Sequence, residues 1–499
     1  VISMEQRLVK RKLDALKRGV HRVPQDQPLP FSVNVVGIGK AGADVVAQVL
    51  RSLPEDGPPC SAIVIDIGEA DLQAVKEAAA ALPAGRAEVD IVPLAIPSRS
   101  DLEATLDVYP EYLQLEYPLY QRASGGSANW LPPTFDHGEA GMDTPRAYAK
   151  ALYGRAYYDG DRAMRGILRR FGAKITSGEA QPVVAIAFGL GGRTGSGIAV
   201  DVARHLSAVV LGRAALTVGL GILPCDGDSP EHRGSALYAC LNELDCLGDE
   251  TKSAGVVQAC GELYRNPFTA GFLVVPQQAV WRTTQNLDAT HARIDREVAT
   301  LLTAGGGANL MEVLRLLNWV AAPSTQHSAA RTPWGARWVH MLGLADTEGP
   351  LAVTPDMAAR FGLRDTYHPE YIETRVGNLG EQADGVAGKL QAAFAPDVPP
   401  QLVEGGAPGS IQFVLPCISK LDLELFYASR DVYDREDEDQ RVLAHSMLLE
   451  HGVVLSEPST RLSGMAGASL YGGEGWVAVP YAALRGPNGA PRRVQLRAV

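Results

Sequence analysis

Two short stretches concentrate the residue types that hold phosphate. Gly37-Ile-Gly-Lys-Ala-Gly42 has the spacing GxGxxG, and GLGGRTGSG at Gly189 to Gly197 carries five glycines in nine residues, with Thr194 and Ser196 as hydroxyl donors. A glycine turn lets backbone N–H groups approach an anion closely, because no Cβ intervenes. A helix that starts just after the turn adds its unpaired first-turn amides and the positive end of its dipole. A bare GxGxxG is equally the pattern of a tight strand–helix turn with no ligand. A purely structural turn rarely needs five glycines, so the second stretch carries more weight.

The surrounding sequence supplies the elements that such turns require. FSVNVVGIG is apolar and β-rich and leads into the first turn, and ADVVAQVLRSL continues from it with helical period. PVVAIAF precedes the second turn and IAVDVARHLSAVV follows it. SAIVID at 61–66, AEVDIVPLAIP at 87–97, ALTVGLGIL at 215–223 and GFLVVP at 271–276 read as further buried strands, with helices at 71–82, 146–172 and 233–247 between them. The 146–172 helix is expected to break near Asp159-Gly160. Strands alternating with helices predict a parallel sheet in an α/β domain. Asp66 ends the second strand about twenty residues past the first turn, where a dinucleotide-binding Rossmann unit carries its acidic residue.

Composition excludes several classes of protein. A formal net charge of −11 argues against non-specific nucleic-acid binding, which needs a basic footprint. The six cysteines fall at spacings that suit neither zinc nor a disulfide framework, and no apolar run is long enough for a membrane span. Residues 1–30 read as a short basic amphipathic helix, too charged for a signal peptide, so the cytoplasm is the expected location. The Gly/Pro/Ser-rich stretch 118–145 reads as a long loop. The acidic run YDREDEDQ at 433–440 reads as a solvated helix start, and His232 as a surface histidine.

The pair of turns resembles the tubulin/FtsZ superfamily, whose signature GGGTGSG or GGGTGTG stands here as Gly191-Gly192-Arg193-Thr194-Gly195-Ser196-Gly197. VVGIGKAGADVV is similar to the opening loop of FtsZ-type proteins, with Asp44 where those usually carry asparagine. The resemblance implies a nucleotide held by Gly37, Gly39, Lys40, Ala41, Gly42, Asp44 and Asp66 on one side. Residues 191–197 would hold it on the other. It further places Arg233, with Glu231 or Asp228, near ribose and base, and Gln277 where the family has a guanine-reading asparagine. Asn286 or Asp288 falls where the family's long core helix begins. GANLMEVLRLL at 307–317 resembles the loop that completes hydrolysis in the neighbouring subunit, with Asn309 and Glu312 as its catalytic candidates.

The resulting expectation is an α/β fold: a Rossmann-like tubulin/FtsZ GTPase domain with a parallel sheet, a long core helix and an α+β C-terminal domain. Its expected parts are an N-terminal extension (1–30), a nucleotide-binding domain (31–285, with an insertion at about 98–150), a core helix (286–304) and the C-terminal domain (305–499). GTP or GDP with Mg²⁺ is the expected ligand, with no protein group assigned to the metal, and head-to-tail copies of the same chain are the expected partners. An NAD(P)-binding oxidoreductase using GIGKAG with Asp66 stays open as an alternative. So does a non-hydrolysing structural member, because Arg193 replaces a signature glycine and the hydrolysis loop keeps one carboxylate.

Overall fold

The computed structural model describes residues 31–117, 129–136, 144–178, 180–212, 215–248, 253, 256–257, 260–303, 310, 339–344, 411–415, 420–456 and 477–481. One sheet dominates them. Its strands are β1 (Phe31–Ile38), β2 (Cys60–Ile67), β3 (Ala87–Leu94), β4 (Gln181–Gly189), β5 (Leu216–Leu223), β6 (Gly271–Pro276), β7 (Val339–Leu344) and β8 (Ile411–Leu415), in the order β3-β2-β1-β4-β5-β6-β7-β8. Every pairing is parallel except β7 with β8. β9 (Val453–Ser456) and β10 (Val477–Pro480) form a separate antiparallel pair.

The sequence explains the parallel core. Cys60–Ile65 of β2 is buried residue after residue, as expected of a strand covered on both faces rather than one that alternates. Helices α1 (Gly39–Arg51), α2 (Gln73–Ala80), α3 (Arg99–Asp107), α4 (Tyr109–Glu116), α5 (Arg146–Tyr158), α6 (Ala163–Ile175), α7 (Arg193–Arg204), α8 (Ser235–Gly248), α9 (Gln278–Thr284) and α10 (Leu287–Thr303) supply the cover. The 146–172 pattern does break where expected: α5 ends at Tyr158, and Gly160 and Arg162 take positive φ before α6 begins. α7 runs on into a π-helical stretch, His205–Val210.

Two apolar cores result. α1, α2 and α10 enclose one on one face of the sheet, with Val46, Leu50, Val64, Leu273 and Val298 among its members. α5 to α8 enclose the other, around Ile63, Tyr153, Phe188, Ile198 and Leu237. Two further helices, α11 (Lys420–Arg435) and α12 (Glu438–Ala444), come from the last third of the chain. Val442, Met447, Leu449 and Val454 join the second core. Among the described residues of 305–499, β7 and β8 extend the sheet and the 442–455 stretch adds to the second core. β7 finds its hydrogen-bond partners on the edge of β6, and β8 then pairs antiparallel with β7. The acidic run does start a helix: Asp437 caps α12 by accepting from Gln440 N at 2.9 Å, and Asp434, Asp437 and Gln440 are exposed, whereas Glu438 is buried rather than solvated.

Candidate functional site

The strand order places both glycine turns at one point. β1 and β4 are neighbours in register from Phe31↔Gln181 to Ile38↔Phe188, and the chain leaves β1 toward α1 and β4 toward α7. The helices lie on opposite faces, so this is the switch point of the sheet, where open α/β folds bind their ligands outside the carboxyl ends of the strands. A cleft of about 310 Å³ opens there, lined by Gly39, Lys40, Ala41, Asp44, Asp66, Gly191, Gly192, Arg193, Thr194, Gly195 and Gln277 among others. That volume lies at the lower end of the range for small-molecule sites, roughly 300–1,000 Å³.

Close approach accounts for the glycines. Gly39 takes φ +68°, and a Cβ on it would stand 3.1 Å from Gly195 N. A Cβ on Gly195 would stand 2.8 Å from Ile38 O. At Gly39 and Gly195 the two turns thus meet backbone to backbone. Neither α1 nor α7 has a side-chain cap at its start and neither carries an acid in its first turn. Their first-turn amides, which have no acceptor within a helix, face a mouth free of a competing cap.

The remaining expected residues divide by role. Gly37 and Gly42 do not line the cleft; a Cβ on Gly37 would lie 2.3 Å from Gly42 O, so this pair shapes the turn. Ser196 and Gly197 are buried behind it. Arg233 Nη1 pairs with Asp226 Oδ1 at 3.3 Å, and Glu231 is an exposed carboxylate within electrostatic reach of Arg193. Asn286 caps the start of α10, its Oδ1 accepting from Ala289 N at 2.9 Å, and Asp288 is exposed in that helix's first turn. Asn309 and Glu312, and the N-terminal helix expected over 1–30, lie outside the described residues.

Several cleft residues escaped the sequence reading. His232, read as a surface residue, lines the cleft, as do Asp71, Thr144, His291 and Asp295. Asp228, one of the two acids considered near the ribose, lines it as well. Its Oδ2 accepts from Cys225 N at 2.8 Å and its Oδ1 meets His291 Nε2 at 3.4 Å. Burial is the largest single influence and works against the Asp228 charge, but the hydrogen bonds and charge of His291 and the Cys225 N–H together outweigh it and hold the carboxyl low. Asp295 lies one turn after His291 on α10, 6% exposed. Burial, and then the charge of Asp44, push it up to about 8. The spacing of His291 and Asp295 beside the apolar Ile294 and Val298 was the available signal: polar residues on the inner flank of a helix.

The other groups set the cleft's polarity. Asp66 is buried and raised to about 6 by that burial, with the Ile67 N–H at 2.8 Å offsetting part of it. Lys40 Nζ pairs with Asp44 Oδ2 at 2.5 Å. Gln277 is buried, and its Nε2 donates to Leu223 O at 3.0 Å, while its Oε1 has no hydrogen-bond partner among the described residues. A buried acceptor left without a partner is costly, on the order of 1–3 kcal/mol, and ordinarily signals a missing donor. Among the described residues no three metal-ligating side chains gather, and no helix is long and apolar enough to cross a membrane.

Fold and cleft together define an α/β protein with a Rossmann-ordered sheet whose switch-point cleft is walled by two glycine turns. No protein-family model and no curated protein matches the sequence. Solved structures do. The chain is similar to CetZ from Methanosaeta thermophila strain DSM 6194, at 15% identity and TM-score 0.34, with 64% of each chain covered. It is similar to the GTPγS-form protofilament of TubZ from Bacillus thuringiensis serovar israelensis, at 13% identity and TM-score 0.36, covering 62% of this chain and 66% of that one. Both are tubulin/FtsZ-family proteins, and the match spans under two thirds of either one's length.

Proposed function

We propose that this chain is a divergent tubulin/FtsZ-like protein that binds GTP or GDP with Mg²⁺ in the cleft between β1 and β4. The observation that carries the reading is the backbone-to-backbone contact of the two glycine turns, Gly39 against Gly195, at the switch point of the sheet. The donor set fits a nucleotide. First-turn amides of α1 and α7 and the Thr194 hydroxyl would donate to phosphate oxygens. Lys40 and Arg193 would offset the phosphate charge. The orphan Gln277 Oε1 would accept from a base N–H, such as guanine's N1–H or N2–H. Mg²⁺ commonly takes most of its ligands from phosphates and water, which suits a cleft with scattered carboxylates such as Asp66 and Asp71. When bound, the metal would neutralise phosphate charge during transfer.

Self-assembly and hydrolysis belong to the same proposal and rest on the resemblance of the two turns. In the reading, another copy caps the nucleotide head-to-tail. Its 307–317 loop presents Glu312, which orients the attacking water with Asn309 beside it. The test is to denature the purified protein and identify released nucleotide by chromatography, then to follow assembly by light scattering with and without added GTP. A guanine nucleotide supports the reading; a protein that neither releases nor binds one overturns it. Glu312→Ala is expected to spare binding and slow phosphate release.

Two other readings each have an observation in their favour. Asp66 stands near the end of β2 and lines the cleft, where an NAD(P)-binding oxidoreductase would grip a ribose. Nicotinamide binding that survives damage to residues 191–197 would select it. Arg193 lines the cleft in place of a signature glycine, which suits a structural member without nucleotide turnover. Filaments that form in the absence of any nucleotide would select that one.

A further inference from the structure

Behind the glycine signature lies a closed set of buried hydrogen bonds that the nucleotide reading does not use. Arg146 opens α5 two residues after the cleft-lining Thr144 and is 1% exposed. Its Nε donates to Ser196 Oγ at 2.9 Å and its Nη2 to Ser196 O at 2.9 Å. The same Nη2 donates to Glu243 Oε2 at 2.5 Å, and Nη1 donates to Ala444 O at 2.9 Å. Glu243, from α8, turns its other oxygen to the chain after α12. Its Oε1 accepts from Ser446 N at 2.8 Å and Met447 N at 2.9 Å and meets His445 Nδ1 at 3.1 Å. Ser446 Oγ closes the ring by donating to Gly197 O at 2.7 Å.

Ser196 and Gly197 belong to the first turn of α7, directly after Thr194 and Gly195 at the cleft. The tight seat of that turn shows in Gly197, where a Cβ would come within 2.7 Å of Arg146 O. The wall facing the cleft and the turn at 444–447 thus share one charge-assisted network, out of water, in which removal of one partner strands the other. Farther along, Glu450 is held separately, by Lys150 at 3.0 Å and by Arg204 at the other end of α7.

We infer that Arg146 is a positioning residue that makes the first turn of α7 and the segment 438–447 open and close as one unit, so that occupancy of the cleft keeps that segment docked. The inference rests on the nucleotide reading of the cleft for its second half. Linkage makes the coupling reciprocal: whatever undocks 438–447 also weakens the hold on phosphate. The Glu450 anchor stays outside the unit.

Hydrogen exchange read by mass spectrometry on the full chain tests this, in wild type, Arg146→Met and Ser446→Ala, with and without a non-hydrolysable GTP analogue. In Arg146→Met, peptides covering 193–199 and 438–447 are expected to exchange at least tenfold faster together, while β1 and the 449–455 segment keep their wild-type rates. Ser446→Ala keeps Arg146 in place and is expected to show the same pattern more weakly, which preserves the test if the arginine variant does not fold. In wild type the analogue is expected to slow both segments. Faster exchange at 438–447 with 193–199 unchanged overturns the unit, as does an analogue that binds and slows 193–199 alone. A wild type that binds no guanine nucleotide in equilibrium titration overturns the reading of the cleft and with it the occupancy half. Joint or separate opening in the two variants still decides whether the unit exists.

Discussion

Gly39 and Gly195 meet across the mouth of the cleft, with a Cβ position on Gly39 only 3.1 Å from Gly195 N. Two loops separated by about 150 residues of sequence are thereby pressed together glycine against glycine. The cleft in front of them is lined by both helix starts, with Lys40, Thr194 and Arg193 beside the glycines.

The first consequence concerns Gly195→Ala. Its methyl would sit 2.8 Å from Ile38 O, and backbone cannot yield as a side-chain tip can. The two turns must separate, and affinity for a fluorescent GTP analogue is expected to fall at least tenfold, with a smaller loss for Thr194→Ala. Equal affinity in wild type and Gly195→Ala, both folded by circular dichroism, would sink the site assignment.

Base choice is expected to depend on Gln277. Gln277→Leu removes the unpartnered Oε1 and also frees Leu223 O. Removing one donor–acceptor contact from a buried site changes binding by about 1–3 kcal/mol, so the preference for GTP over ATP in competition titrations should shrink by about fivefold or more. An unchanged ratio would show that the base is read elsewhere.

Asp295 gives a pH dependence with a definite sign. Its folded value, about 8, stands above its ordinary 3.8 because burial opposes the charged form. The native state therefore binds a proton that the unfolded chain has released. Stability from this group is complete below about pH 4 and is lost as pH rises toward 8. Asp295→Asn should accordingly be more stable than wild type at pH 8, by up to a few kcal/mol. The gap should narrow toward pH 5 in urea melts. A gap that widens on acidification would contradict the burial argument.

Glu243 works in the opposite direction. Burial opposes its charge, but Arg146 and His445 overcome that and hold the carboxyl down to about 2. Its contribution is present above the ordinary glutamate range and is lost as pH falls toward 2. Glu243→Gln strands the Arg146 guanidinium, and breaking a buried pair in this way costs about 3–5 kcal/mol. The urea midpoint at pH 7 should drop accordingly, with a flatter acid limb than wild type.

Local chemistry made much of this protein legible in its sequence. The apolar strands, the helices after each glycine turn and the break at Asp159-Gly160 follow from side-chain periodicity and backbone preference, which act over a few residues. The phosphate-type turns were visible because glycine spacing is itself a local signal. Tertiary structure decided the rest. That Gly39 meets Gly195, that His291 and Asp295 turn toward the cleft, and that Gln277 keeps an acceptor unpaired all depend on strand order, which no window of sequence contains. The same holds for Arg146, Glu243 and Ser446, which are 97 and 203 residues apart in the chain. A buried charge is tolerable only when its partner arrives from elsewhere in the fold, so its role exists only once the chain has closed around it.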